Sequence, residues 1–366
     1  MPEERFLLKN LFDEASLEVI AAAIVGAEST FDRDGFMAAV FDRDWGDREL
    51  KARMRHIAVA LHSFLPNSYR KALDVLLHAS PGTEAAGFAA MAFSDFVEVY
   101  GLDDPDASLP ALGRFTLVVS AEFAVRPFII RYPETSFAQM ARWAEDPDPR
   151  VRRLASEGCR PRLPWAMALK PLQDDPAPIL PILNALRHDP SNDVRRSVAN
   201  NLNDIAKDHP GLVVEILASW QDGSHEVADI TRRALRTLVK QGDPKALGLL
   251  GYSPSPEVLV TGLAVSPIEV RVGDVTTLSF TVASTSDEEQ SLIVDAVVFF
   301  RKARGHASPK VFKLRTVQLA AEDSIGIRRK ISLAPMSTRK IYPGTHAVEV
   351  QINGTRFGRR EFEVVT

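Results

Sequence analysis

The chain has 366 residues, 45% of them hydrophobic and 25% charged, with a formal net charge of -4. That length exceeds what one core usually spans and predicts two packed domains. The composition excludes an intrinsically disordered chain, and the charge supplies no overall attraction to nucleic acid.

The opening MPEERFLLKN puts two acids before an apolar stretch that Lys9, Asp13 and Glu14 soon break, so no signal-peptide core can be drawn. No window supplies a membrane-spanning run. The lone Cys159 excludes an internal disulfide, and together these features predict a protein of the reducing cytoplasm without a membrane partner. Cys159 itself reads as a small helix-packing residue.

Up to about Gly251 the apolar residues recur at helical spacing, as in Leu17-Ile20-Ala21 and Leu50-Met54-Ile57-Ala58-Leu61, and the breaks carry Pro, Gly, Asp and Asn. An all-helical stretch follows from this. Within it, GRFTLVVSAEFAVRPFIIRYP predicts an apolar helix in which Glu122 is the only charged residue between Arg114 and Arg126. A carboxylate there is costly unless it has a partner or a function. Arg126, one turn later, is one candidate partner; a functional carboxylate in a half-buried cleft is the other reading.

The helical part repeats itself: DPDPRVRRLASEG from Asp146, DPSNDVRRSVANN from Asp189 and the looser SHEVADITRRALR from Ser224. In each, a polar capping stretch precedes an aliphatic residue and paired arginines, Val151-Arg152-Arg153, Val194-Arg195-Arg196, and Ile230 with Arg232-Arg233. Spacings of 43 and 36 residues suit HEAT-type helix pairs, which stack into a curved solenoid with a concave inner surface. Aligning Val151 with Val194 matches Arg153 to Arg196, Glu157 to Asn200 and Arg160 to Asn203. Residues three and four apart share a helix face. Arg153, Glu157 and Arg160 are therefore expected on one helix face, with Arg196, Asn200, Asn203 and Asp204 on the next. Such a surface is either the solvated side of an ordinary repeat or a binding face. Trp165, after the Pro-bounded turn RPRLPWAM, either fills an inter-helix gap or offers an exposed ring to a cation or sugar edge.

After Ser253-Pro254-Ser255-Pro256 the period changes to two, in LSFTVAS, LIVDAVVFF, HAVEVQI and REFEVV, with Asn353-Gly354 as a turn signal, which predicts a β-sandwich. From Val258 onward there are 15 Lys and Arg against 11 Asp and Glu, a net of +4, leaving -8 for the helical part. The excess is expected in loops, at Arg301-Lys302-Ala303-Arg304-Gly305-His306, Arg328-Arg329-Lys330, Arg339-Lys340 and Arg359-Arg360. There it either meets phosphates or keeps strand edges unpaired. No CxxC or HExxH cluster, phosphate loop, GxGxxG or GxSxG motif occurs, and the eight histidines lack ligand spacing, so the sequence supports no metal, cofactor or acyl-transfer chemistry.

Taken together, RFLLKNLFDEASLEVIAAAI, GDRELKARMRHIAVALHSFLP, SAEFAVRPF, DPRVRRLASEGCRPRLPWA and DVRRSVANNLNDIAKDHP resemble the AlkC branch of the AlkC/AlkD-type DNA alkylation-repair glycosylases. The resemblance implies a HEAT-like α-helical repeat domain over residues 1–252 and an immunoglobulin-like β-sandwich over 258–366 that could clamp DNA. It also implies monofunctional hydrolysis of the N-glycosidic bond of cationic N-alkylated bases such as 3-methyladenine, on duplex DNA and without full base extrusion. A monomer associated with the nucleoid when acting is expected, with no metal or other cofactor. Beside it, the residue chemistry offers Glu122, Glu157 and Asp204 to stabilise an oxocarbenium-like sugar and position water, with Trp165 against the sugar or the cationic base. Arg126, Arg152, Arg153, Arg160, Arg195, Arg196 and Asn200, with Lys302, Arg304, Arg339 and Lys340, are the candidate DNA contacts. The AlkD branch places tryptophans beside its catalytic aspartate, whereas the Asn200-Asn201 region here has none. A non-enzymatic HEAT-repeat scaffold for protein or DNA is the competing reading; a surface adhesin is disfavoured by the missing secretion signal.

Overall fold

The computed structural model describes residues 7–336 and 339–366; the acidic opening up to Phe6 lies outside the described residues. Helices occupy the first two thirds: α1 (Glu14–Ala27), α2 (Arg33–Val40), α3 (Leu50–Phe64), α4 (Tyr69–Ala79), α5 (Met91–Tyr100), α6 (Pro105–Phe115), α7 (Arg126–Arg131) and α8 (Pro133–Ala144). They continue as α9 (Pro149–Gly158), α10 (Lys170–Asp174), α11 (Leu180–Ala185), α12 (Asn192–Ile205), α13 (Pro210–Trp220), α14 (His225–Ala234), α15 (Arg236–Gln241) and α16 (Pro244–Leu249). Asp-Pro pairs start three of them. Asp104, Asp148 and Asp243 each accept a backbone N–H of the first turn, and the following proline gives up a donor that the helix start leaves unused.

The chain divides into two compact units. The first runs to His209 and takes in Asp222–Ala234; the second joins Pro210–Gln221 to Leu235–Thr366, so that α13, α15 and α16 go with the strands. In the first unit α9 packs between α8 and α12, α12 packs on α14, and α3 packs on α5. The repeat visible in sequence has a structural cause. Arg152 Nη1 donates to the carbonyls of Asp146 and Pro147 at 2.8 and 2.9 Å, and Arg195 Nη1 does the same to Asp189 and Pro190 at 2.6 and 2.9 Å. The first arginine of each pair thus fastens the Asp-Pro turn that precedes its own helix.

The expected helix over Gly113–Pro133 is interrupted. α6 stops at Phe115, a run of turns follows, and α7 starts at Arg126, so Glu122 stands in a connection rather than in a helix. Four β-branched or aromatic residues among Phe115–Val119 weaken helix propensity there.

In the second unit β1 (Val258–Ser266), β3 (Val275–Ser284) and β6 (Ser324–Ser332) form one sheet in the order β1-β3-β6. The strands β2 (Glu269–Arg271), β4 (Gln290–Arg301), β5 (Ala307–Leu319), β7 (Gly344–Ile352) and β8 (Thr355–Val365) form the other, ordered β2-β8-β7-β4-β5. Alternate residues of both, among them Leu278, Phe280, Val282, Val294, Ala296, Val298, Ile327, Val348 and Val350, meet in one core, as the period of two predicts. Asn353 and Gly354 both take positive φ and close the β7–β8 hairpin. Arg328–Lys330 lies within β6 and Arg359-Arg360 within β8, not in the loops expected for them.

The outer face of β4 is buried too, and Asp295 sits on it between Lys313 of β5 and Gln351 of β7. Gln351 in turn donates to the Lys240 carbonyl at the end of α15, at 3.1 Å. Burial pushes the Asp295 carboxyl up from 3.8 to about 6. The folded chain therefore holds this proton more tightly than the unfolded chain. The resulting cost is absent below about pH 4, grows to roughly 3 kcal/mol by pH 6 and stays level above. Asp295→Asn is expected to raise stability at pH 7.5 by about 2–3 kcal/mol and to flatten this part of the profile, read by urea unfolding at several pH values.

Candidate active site

Three of the carboxylates singled out in the sequence lie in one chain of ion pairs between the α6–α7 connection, α9 and α12. Glu122 Oε2 accepts from Ser120 Oγ at 2.6 Å and from Arg153 Nη1 at 2.9 Å. Arg153 Nη2 lies 3.7 Å from Glu157 Oε1, which also accepts from Arg160 Nη1 at 2.6 Å. Arg160 Nε donates to Asp204 Oδ2 at 2.9 Å, and Lys207 Nζ donates to Asp204 Oδ1 at 2.9 Å. Charges alternate along the whole line, so each acid faces a cation on both sides or at the end.

Exposure grades the three acids. The side chain of Glu122 is 16% exposed, that of Glu157 7% and that of Asp204 2%. Glu157 and Asp204 form a buried electrostatic base; Glu122 is the carboxylate that a ligand can approach. The repeat ladder is thereby modified. Arg160 lies two residues past the end of α9, and Asn203 and Asp204 are buried, while Arg196 is exposed and pairs with Asp193 at 2.8 Å. Asn200 is half-buried on α12. The face is an interlocked polar seam, with Ser156 Oγ donating to Ser197 Oγ and Ser197 Oγ to Glu157 Oε2, both at 2.6 Å.

Arg126 is not the partner of Glu122. Its guanidinium is fully buried and donates to the carbonyls of Gly158 and Arg160, both at 2.9 Å, and twice to that of Met167, at 2.8 and 2.6 Å. Burial brings it down to about 10, so it stays charged at neutral pH. With every nitrogen spent on carbonyls inside the protein, Arg126 cannot serve as the phosphate clamp expected of it. Arg152 is likewise withdrawn, by a bidentate pair with Asp189 at 2.6 and 3.1 Å, and Arg195 by the turn carbonyls it holds. Arg153 and Arg160 are occupied by the carboxylates. Cys159 is buried, and burial pushes its thiol up to about 12, which suits a packing residue.

Trp165 stands in the turn between α9 and α10 with 62% of its surface exposed, which settles the choice between gap filler and exposed ring in favour of the latter. Its φ is +64°, a left-handed conformation that costs a residue with a Cβ on the order of 1–2 kcal/mol and persists only where the surroundings enforce it. Lys51 Nζ, from the first turn of α3, donates to the Trp165 carbonyl at 3.1 Å and lies 5.2 Å from the ring centre of Phe123, the neighbour of Glu122. Behind Lys51, Arg55 pairs with Asp95 at 2.6 Å and with Glu98 at 2.7 Å. Burial, and then Asp95, push the Glu98 carboxyl above its ordinary range, while Arg55 and Lys51 oppose them.

Sequence reasoning missed Ser120, Ser197, Lys207 and Lys51. Ser197 carried a signal, since it is the polar residue that the repeat alignment sets against buried Leu154. Lys51 carried none, because its target is a carbonyl 114 residues away.

In the second unit Lys302 and Arg304 lie in the β4–β5 turn, Arg304 and Lys340 are exposed, and Arg339 stacks over Phe300 with 4.6 Å to the ring centre. Among the described residues no group of three or more His, Cys, Asp or Glu could hold a metal ion, and no helix is long and apolar enough to cross a membrane.

Residues 259–366 match the family model described as "Uncharacterised protein YhaZ, C-terminal Ig-like domain", and residues 179–209 match that of the HEAT repeat. These agree with the helical-repeat and immunoglobulin-like architecture. The chain is 37% identical to "Uncharacterized protein YhaZ" of Bacillus subtilis (strain 168), over 98% of this chain and 99% of that one. It superposes with a TM-score of 0.94 on the Pseudomonas fluorescens alkylpurine DNA glycosylase AlkC bound to DNA containing an abasic site analog. The identity there is 39%, covering 99% of this chain and 100% of that one.

Proposed function

The chain belongs to the AlkC family of alkylpurine DNA glycosylases, and we propose that it hydrolyses the N-glycosidic bond of cationic N-alkylated bases, 3-methyladenine among them, in double-stranded DNA. The observation that carries this reading is a partly exposed carboxylate, Glu122, backed by buried ion pairs and linked through Phe123 and Lys51 to an exposed indole.

The chemistry suits such a substrate. An alkylated purine already bears positive charge and leaves with the electrons of the N–C1′ bond, becoming neutral without needing a strong acid. Positive charge then develops at C1′. Glu122 stabilises it, and water adds to C1′ while a carboxylate takes its proton. Glu157 and Asp204, held by Arg160, brace Arg153 behind Glu122 without contacting the sugar. The π face of Trp165 favours the cationic base over a neutral one by roughly 0.5–2 kcal/mol. Arg196, Asn200, Lys302, Arg304, Arg339 and Lys340 meet phosphates; the Arg196–Asp193 pair is exposed enough to exchange one anion for another. The residues after 258 act as the DNA clamp and those up to 252 as the glycosylase domain. The enzyme works as a monomer in the cytoplasm, on nucleoid DNA, because one chain carries every group the reaction uses.

Incubation with N-methylated duplex DNA is expected to release free 3-methyladenine; no release would sink the proposal. Trp165→Ala is expected to weaken binding of the cationic lesion, and so to slow release at sub-saturating enzyme, by about 2- to 30-fold, the equivalent of the lost cation–π contact, with thermal stability unchanged or raised. Trp165→Gly, which also removes the left-handed strain, is expected to be the more stable of the two. Base release and melting temperature, measured on the same preparations, check both.

A further inference from the structure

The exposed ring of Trp165 packs on little, so its direction has to come from its backbone, and that backbone is held from two sides. From within, Arg126 gathers the carbonyls of Gly158, Arg160 and Met167, closing the two ends of the turn on one guanidinium. From the surface, Lys51 takes the carbonyl of Trp165 itself. Two backbone bonds of the turn itself, Leu169 N–H to the Pro161 carbonyl at 3.1 Å and Ala166 N–H to that of Leu163 at 3.3 Å, add to these. The same two basic residues border the acids: Arg126 holds the carbonyl of Arg160, whose side chain joins Glu157 to Asp204, and Lys51 lies against Phe123, next to Glu122.

No carboxylate forms an ion pair with Arg126 or Lys51 among the described residues. A buried guanidinium without a carboxylate is tolerated only where several carbonyls satisfy it, so the turn and Arg126 fix each other. Lys51 is exposed, and its ammonium would gain more from water and counter-ions than from one carbonyl unless Phe123 and Glu98 held it there.

We infer that Arg126 and Lys51 are positioning residues that aim the indole of Trp165 at the lesion beside Glu122, acting through the backbone of residues 158–167. The inference rests on the reading that Trp165 meets the cationic base. It explains why these basic residues spend their donors on backbone carbonyls: their target is the turn that carries the aromatic contact.

The test combines hydrogen exchange of the peptide covering residues 159–169 with single-turnover release of 3-methyladenine, using the full chain. Lys51→Met, at an exposed site, is expected to keep the wild-type melting temperature. It should speed exchange of the Ala166 and Leu169 amides and slow base release, each by about 3- to 10-fold as for one lost hydrogen bond at an exposed site, while Lys51→Arg restores both. Arg126→Lys is expected to show the same pair of changes more strongly. Slower release with unchanged exchange would mean that Lys51 acts on DNA directly and would overturn the inference. Faster exchange with unchanged release would overturn it as well, and so would no change in either. A wild-type protein that released no base would defeat the glycosylase reading separately, and the exchange arm would still show whether these residues hold the turn.

Discussion

Replacing Glu122 by glutamine is expected to cut the rate constant for 3-methyladenine release by on the order of 100- to 1000-fold, the size of effect seen when one preorganised electrostatic group is removed from a reacting centre. The substitution keeps shape and polarity and removes one negative charge where positive charge develops at C1′. Glu122 is the most exposed of the three acids, and both bonds described for it end on Oε2, from Ser120 and Arg153. Its pair with Arg153 is partly solvated, so stability is expected to change by no more than about 1 kcal/mol. Affinity for unmodified duplex should stay level or rise, since a negative charge near phosphates has been removed. The signature is thus a fall in rate without a fall in binding, measured as single-turnover release against a DNA titration on the same variant. A Glu122→Gln protein that kept the full rate would leave the glycosylase intact and take this residue out of the mechanism.

The architecture could be read from periodicity because periodicity is a local property. The change from helical spacing to a period of two near Ser253-Pro254 marks where strands begin, and Asn353-Gly354 marks a hairpin that both residues close with positive φ. The 43-residue repeat also survives in three dimensions, for a reason the sequence did not disclose: Arg152 and Arg195 each tie down an Asp-Pro turn. Sequence spacing alone makes both arginines of a pair look alike. Which one is spent internally depends on carbonyls presented by the preceding turn, and for Arg126 on carbonyls 32 to 41 residues distant. The same limit explains the partner of Glu122. A helical reading offered Arg126 one turn away, but the helix breaks after Phe115 and Arg153, from α9, reaches the carboxylate instead.

Burial of the acids resolves how a site rich in carboxylates can face DNA. Glu122, Glu157 and Asp204 are matched by Arg153, Arg160 and Lys207 in one alternating line, so the surface that phosphates approach carries little net repulsion. Glu122 is the most exposed of the three and, in the proposed reaction, the one that meets the sugar. In the proposed reaction, selectivity for cationic bases has two sources: the indole favours a cationic base over a neutral one, and an alkylated purine leaves without the protonation that a neutral purine needs.

Arg160 is the residue on which that line depends, and Arg160→Leu is expected to destabilise the protein by about 3–5 kcal/mol at pH 7.5 while abolishing base release. Its guanidinium bridges Glu157 and Asp204 at 2.6 and 2.9 Å, and all three side chains are buried. Leucine fills much of the space and leaves two carboxylates without their shared cation, Glu157 keeping Ser197 and the longer pair with Arg153, and Asp204 keeping Lys207. Urea unfolding of wild type and variant at pH 7.5 measures the deficit, and Lys207→Met, at the exposed end of the line, should cost under about 1 kcal/mol.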